Sequence, residues 1–177
     1  MAGPDDHRAL DGADLESWTA FATVLEWLPP ALDAALAREV DLTHFEYGIL
    51  YALAGAPGRA LRMSTLAEYS NSSLSRLSRA VSRLEGRGWV ARRPDPDDGR
   101  STLAGLTDDG HAVFARATPV HEQTVRRLVL DPLTNAQRRQ LREISARIQR
   151  SIRPTGSVPL MGGGTASRRA TSKDIDG

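Results

Sequence analysis

The chain has 177 residues, 40% hydrophobic and 25% charged, which suits one compact domain or one domain plus dimerisation arms and tails. No run approaches the roughly 18 apolar residues of a membrane span, and MAGPDDHRAL lacks the basic start and apolar stretch of a signal peptide, so a cytoplasmic protein with no membrane partner is expected. The absence of cysteine excludes disulfides, thiolate metal sites, cysteine nucleophiles and thiol redox sensing, and a formal net charge of +1 conceals an uneven distribution.

Residues 1–48 carry ten acids against Arg8 and Arg38, whereas residues 110–153 carry nine arginines against Glu122, Asp131 and Glu143. Opposite signs at the two ends suit terminal helices that pack against each other. Arginine outnumbers lysine twenty-two to one, but the bias extends into the tails, so position rather than abundance must carry any argument about nucleic acid.

Residues 1–13, polar and acidic, read as a disordered leader. From Asp14 onward Trp18, Phe21, Leu25, Leu28, Leu32 and Leu36 recur at helical spacing, giving a long amphipathic helix over residues 14–42 with a kink or break at Pro29-Pro30. Thr43 and Glu46 have the spacing of a capping box, which starts a second helix running to about Ala54. A short extended piece follows near Leu61, then a third helix over residues 65–69 capped by Ser64, and a turn at Ser70-Asn71-Ser72. Ser73 caps a fourth helix whose Leu74, Leu77, Val81 and Leu84 form one narrow apolar stripe and which stops at Gly88.

Residues 89–93 and 101–106 read as two strands joined by the turn-forming PDPDDGR. Thr107 begins a helix to about Leu130, with a bend at Pro119, and Thr134 and Gln137 form a second capping box that opens a last helix with Leu141, Ile144, Ile148 and Ile152 on one face. Residues 154–177 read as a disordered tail.

Short helix, turn, basic helix and hairpin, in that order, make a winged helix-turn-helix over residues 43–106 in a mainly α chain, flanked by helices over 14–42 and 107–153 that would form a dimerisation region. On the fourth helix Arg76, Arg79 and Arg83 repeat the leucine spacing out of phase and project opposite the core, flanked by Ser75, Ser78 and Ser82. An ordinary solvated helix mixes signs for pairing across a turn, yet no acid occurs between Ser73 and Arg83. Serine hydroxyls and arginine forks suit base edges and phosphates in the major groove of double-stranded DNA. On the wing, Asp98 is expected to orient Arg100 toward the adjacent minor groove, where narrow A·T-rich segments attract arginine.

The stretch LAEYSNSSLSRLSRAVSRLEGRGWVARRPDPDDGRSTLAGLTDDG, residues 66–110, resembles the core signature of MarR-type transcriptional regulators. The resemblance rests on Leu66-Ala67, the Ser-Arg within the fourth helix, Arg83-Leu84-Glu85, Gly88, the Asp-x-Arg at Asp98 and Arg100, and the Leu-Thr-x-x-Gly ending at Gly110, and it extends over roughly residues 15–152. It implies a homodimer presenting one winged helix to each half of a palindromic operator, with DNA contacts at Ser73, Ser75, Arg76, Ser78, Arg79 and Arg100. Arg83 and Asp98 join that set on position. Serine at Ser78, where threonine is commoner, and the small pair Ala104-Gly105 in the second wing strand depart from the family pattern. The resemblance also implies a small aromatic or anionic effector between dimer region and DNA-binding lobe, bordered by Trp18, Trp27, His44, Tyr47 and His111, and a repressor that releases DNA when it binds.

No metal or other cofactor is expected, since His7, His44, His111 and His121 lack paired ligand spacing. Neither a nucleophile and base pair nor a phosphate-cradling loop occurs, so an enzyme is not expected. The alternative is a winged helix used for protein interaction without DNA.

Overall fold

The computed structural model describes residues 9–152. The expected tail lies outside the described residues, as do residues 1–8 of the expected leader; Gly12 and Ala13 already belong to the first helix. The elements in chain order are α1 (Gly12–Val40), α2 (His44–Gly55), β1 (Ala60–Arg62), α3 (Met63–Tyr69), α4 (Leu74–Gly86), β2 (Val90–Asp95), β3 (Asp98–Leu106), α5 (Asp108–Val125) and α6 (Asn135–Ile152).

Local hydrogen bonding explains most of the helix starts. Thr43 Oγ1 accepts from the Glu46 amide at 3.1 Å while Glu46 accepts from the Thr43 amide at 3.0 Å, closing the capping box of α2. The Thr134 hydroxyl and the Gln137 amide make the same reciprocal pair ahead of α6. Ser73 caps α4 by accepting from the Arg76 amide. Ser64 does not cap: α3 opens one residue before it, behind Arg62, and Ser64 sits inside the first turn. The chain leaves α4 through Gly88, whose φ of 74° places it in the left-handed region, and the Trp89 amide returns to the Leu84 carbonyl.

The hairpin is one part of a three-stranded antiparallel sheet ordered β1-β3-β2. Leu61 pairs with Ala104 on one side of β3 and Arg92 pairs with Ala104 on the other, with an irregularity between Pro94 and Asp95 just before the turn. The small residues Ala104 and Gly105 therefore occupy the central strand, hydrogen-bonded on both edges, and the wing root is held by β1, an element that periodicity alone reads only as an extended piece.

Leu77, Val81 and Leu84 of α4 are fully buried against Ile49, Leu50 and Leu53 of α2, Leu66 of α3 and Val90 of β2. Each such side chain contributes about 1.5–3 kcal/mol on burial, against about 0–1 kcal/mol for an exposed ion pair, so the core and not surface charge sets the rotation of α4. Leu74 departs from the expected stripe and is 54% exposed.

The α-helix of α1 continues through Pro29 and Pro30, so the expected interruption does not break it. The two missing amide donors are tolerated on a helix whose main partners within the chain are α5 and α2. α5 likewise runs through Pro119 and leaves α geometry later, in a π-helical turn at Arg126–Leu130 closed by the Asp131 amide on the Arg126 carbonyl at 2.8 Å. Trp18, Phe21, Val24, Leu25 and Trp27 of α1 and Ile144 and Ile152 of α6 remain exposed in the single chain, and α6 buries no residue in it.

Gly110, the last residue of the Leu-Thr-x-x-Gly motif, sits where a Cβ would lie 2.0 Å from the Trp89 carbonyl oxygen. The same carbonyl accepts from the Thr107 amide at 3.1 Å, so this backbone cannot swing aside cheaply. Gly110→Ala is therefore expected to lower stability by about 1–3 kcal/mol, outweighing the roughly 1 kcal/mol by which alanine is favoured inside a helix. The urea midpoint checks it; an unchanged midpoint would mean that α5 moves away freely.

Candidate nucleic-acid interface

Helical periodicity sorts the side chains of α4 into three directions. Ser75 and Arg79 point outward and are exposed; among the described residues Arg79 carries no ion pair. Ser75 shares a hydrogen bond with Ser73 at 3.1 Å. Arg76 and Arg83 lean toward α2: the Arg76 guanidinium stacks over the Phe45 ring at 4.5 Å, and Arg83 Nε meets Glu46 Oε1 at 2.8 Å. Ser78, Ser82 and Glu85 lean the other way, toward the wing.

Arg83 is thus a structural partner as well as a surface cation. Glu46, whose side chain is nearly buried, would be pushed upward in pKa by that burial, but the Thr43 amide and the Arg83 guanidinium overcome it and hold the carboxyl below its ordinary value. Arg83 neutralises the carboxylate that closes the capping box of α2.

The wing is fastened to α4 by Arg92, a residue that pattern reading does not single out. Its amide donates to Glu85 Oε1 at 3.0 Å, its Nε to Glu85 Oε2 at 2.9 Å, its Nη1 to Ser78 Oγ at 3.4 Å, and its Nη2 to Ser82 Oγ. The Arg92 amide and guanidinium together hold the Glu85 carboxyl below its ordinary value. Ser78, expected on the DNA face, has its hydroxyl engaged by this guanidinium.

At the wing tip, Asp98 does not orient the Arg100 guanidinium as expected. Its carboxylate accepts from the Arg100 amide at 3.1 Å and from Ser101 Oγ at 2.8 Å, the geometry of an aspartate closing its own turn. Asp95 accepts from the Asp97 amide at 3.0 Å and pairs with Arg62 Nε at 2.5 Å. The carboxylates of Asp95 and Asp98 are therefore occupied inside the turn, while the Arg100 side chain is exposed and carries no ion pair among the described residues. Ser78 and Arg100 line one cleft between α4 and the wing, whereas Arg76, Arg79 and Arg83 line another groove with Asp33, Thr43 and His44.

The residues expected to border an effector site do not converge. Trp18 and Trp27 stand on the exposed face of α1, and His111 lies against Phe114 at 6.4 Å. His44 and Tyr47 instead meet His121 of α5: His44 and His121 rings stack at 5.3 Å and 10°, and Tyr47 lies 4.5 Å from His121. The His44 amide donates to Asp33 of α1 at 2.5 Å, but its buried Nδ1 finds no hydrogen-bond partner among the described residues. Burial lowers the His44 pKa against the pull of Asp33, and burial together with the charge of His44 lowers His121 to about 4.

Comparison with known proteins places this geometry. Residues 40–101 match the model of the MarR family. The chain is 31% identical over 124 residues to the HTH-type transcriptional regulator PecS of Dickeya dadantii (strain 3937), covering 69% of this chain and 73% of PecS. It is 35% identical over 80 residues to the transcriptional regulator HosA of Escherichia coli O111:H-, covering 45% of this chain and 58% of HosA, so the match spans little more than half of that relative. Among solved structures it is similar to Sco3205, a MarR family transcriptional regulator from Streptomyces coelicolor in complex with DNA. That likeness has a TM-score of 0.81 and 39% identity, and covers 86% of this chain and 95% of Sco3205.

The histidine stack gives a pH dependence of definite sign. In the folded chain both imidazoles protonate below the ordinary 6.5, so between about 6.5 and 4 the unfolded chain binds more protons. The stack's contribution to stability is present above 6.5 and is lost as pH falls through that window. Urea midpoints measured from pH 7 to 4.5 are expected to fall, and His121→Phe to flatten the fall; an equal slope in the variant would remove the stack as its source.

Proposed function

This chain belongs to the MarR family of transcriptional regulators, and from that premise we propose that it acts as a homodimer placing one α4 in the major groove of each half of a palindromic operator, with the wing in the adjacent minor groove. The observation that carries this reading is the face of α4: rotated outward by its buried stripe, free of acid from Ser73 to Arg83, and set beside a wing that Arg92 locks to it. On this reading residues 43–106 are the DNA-binding domain, and residues 14–42 with 107–153 form the dimerisation region. The exposed apolar faces of α1 and α6 support the dimer, since a monomer rarely leaves so many large side chains in water.

Ser73, Ser75, Arg76, Arg79 and Arg100 are the proposed DNA contacts. Ser78, Arg83 and Asp98 belong to the same surface chiefly through what they hold in place. A small anionic or aromatic effector fits the groove among Asp33, His44, Arg76, Arg79 and Arg83, which offers three guanidinium groups and touches both α1 and α4. Such a ligand releases DNA by occupying Arg76 and Arg79 or by favouring a spacing of the two α4 helices that no longer matches successive major grooves, the behaviour proposed for a repressor.

The family and fold are those of regulators of transcription, and no catalytic activity or cofactor is proposed. No helix among the described residues is long and apolar enough to cross a membrane, and the proposed location is the cytoplasm.

Selection of bound duplexes from a random pool tests the assignment: a palindrome with half-sites about one helical turn apart is expected, with affinity falling as salt rises. Salt-independent binding or none would favour a protein-interaction module. On the selected duplex Arg79→Ala is expected to weaken binding by about 1–3 kcal/mol and to relax the preference at one base position, read by competition binding. Arg100→Ala should weaken binding most where the flanks are A·T-rich; equal loss on all flanks would make it a plain phosphate contact.

A further inference from the structure

Leu74 is anomalous on α4. It has the same spacing as Leu77, Val81 and Leu84, yet those three are fully buried and Leu74 is 54% exposed. It is the first residue of the helix, where the chain leaves the turn and clears the core. There it joins Met63 as the apolar part of a cleft of about 320 Å³, whose other walls include Ser64, Ser78, Arg100 and Thr102. A large aliphatic group is thus presented at the leading end of a helix whose surface from Ser75 to Arg83 is hydroxyl and guanidinium.

We propose that Leu74 is a specificity-determining residue that packs on the C5-methyl group of a thymine in each operator half-site. The inference rests on the reading of α4 as the recognition helix. Base edges in the major groove present donors and acceptors and one apolar group only, the thymine methyl, so an exposed leucine there has one complementary feature to find. Residues in the first turn of a recognition helix are the ones that reach base edges. An apolar protein partner fits the same spot poorly, because covering Leu74 would also desolvate neighbouring Arg100, which has no carboxylate partner among the described residues.

The test pairs a change in the protein with a change of one methyl group in the DNA. In the duplex selected by the full chain, each thymine is replaced in turn by deoxyuridine, and affinities of the parent and of Leu74→Ala are measured by fluorescence anisotropy. The variant's fold is checked by its melting curve. At one thymine position per half-site the parent is expected to lose about fourfold on losing the methyl, the worth of one buried methyl group. Leu74→Ala should be weaker on the thymine duplex and indifferent to deoxyuridine at that position. Parent binding that ignores every such replacement, or a methyl penalty that survives in Leu74→Ala, overturns the assignment of Leu74 while leaving the DNA-binding reading intact. Failure of the parent to bind any duplex overturns that reading, and this assignment with it.

Discussion

Once the axis of a helix is placed, only rotation about that axis remains, and in α4 the burial of Leu77, Val81 and Leu84 removes it. At about 100° per residue this fixes the direction of every other side chain on the helix. Arg79 and Ser75 must face outward, Arg76 and Arg83 must face α2, and Ser78, Ser82 and Glu85 must face the wing. The remaining features of the surface, its charge included, follow from that packing. A cation turned by a surface ion pair would be held by less than the free energy of one buried leucine.

Four carboxylates near this surface follow a common pattern. Glu46, Glu85, Asp95 and Asp98 each accept from a backbone amide, and all but Asp98 also bind a guanidinium. Each therefore fixes a junction: the start of α2, the join of helix and wing, or the wing turn. None is left to repel phosphate at full strength, and Arg79 and Arg100 stay uncommitted. A net charge close to zero for the whole chain is compatible with a locally cationic face because ten of the acids fall in residues 1–48 and those nearest the face are engaged in the scaffold.

What could be read from the sequence was what the chain encodes locally. Thr43 with Glu46, Thr134 with Gln137, and Ser73 with the Arg76 amide are contacts three residues apart, and each appears as the spacing implies. The helix-turn-helix, the hairpin and the family resemblance follow from the order of such elements. Contacts between distant segments left no periodic trace: Arg83 reaches Glu46 across 37 residues and Arg62 reaches Asp95 across 33. The role of Arg92, the third strand and the exposure of Leu74 belong to this second kind, whereas Asp98 closing its own turn is a local contact, made to the Arg100 amide where the expectation was its side chain. The expected kink or break at Pro29-Pro30 does not interrupt α1, which is helical from Gly12 to Val40.

The contact between Trp89 and the start of α5 bears on how the molecule can deform. The Trp89 carbonyl receives the Thr107 amide and fills the space beside Gly110, while the Thr107 hydroxyl donates to the Gly88 carbonyl at 2.7 Å. The foot of the wing and the head of α5 are consequently joined at a single block of backbone. A tilt imposed on α5 is therefore expected to carry the wing with it, as a crank turns with its shaft.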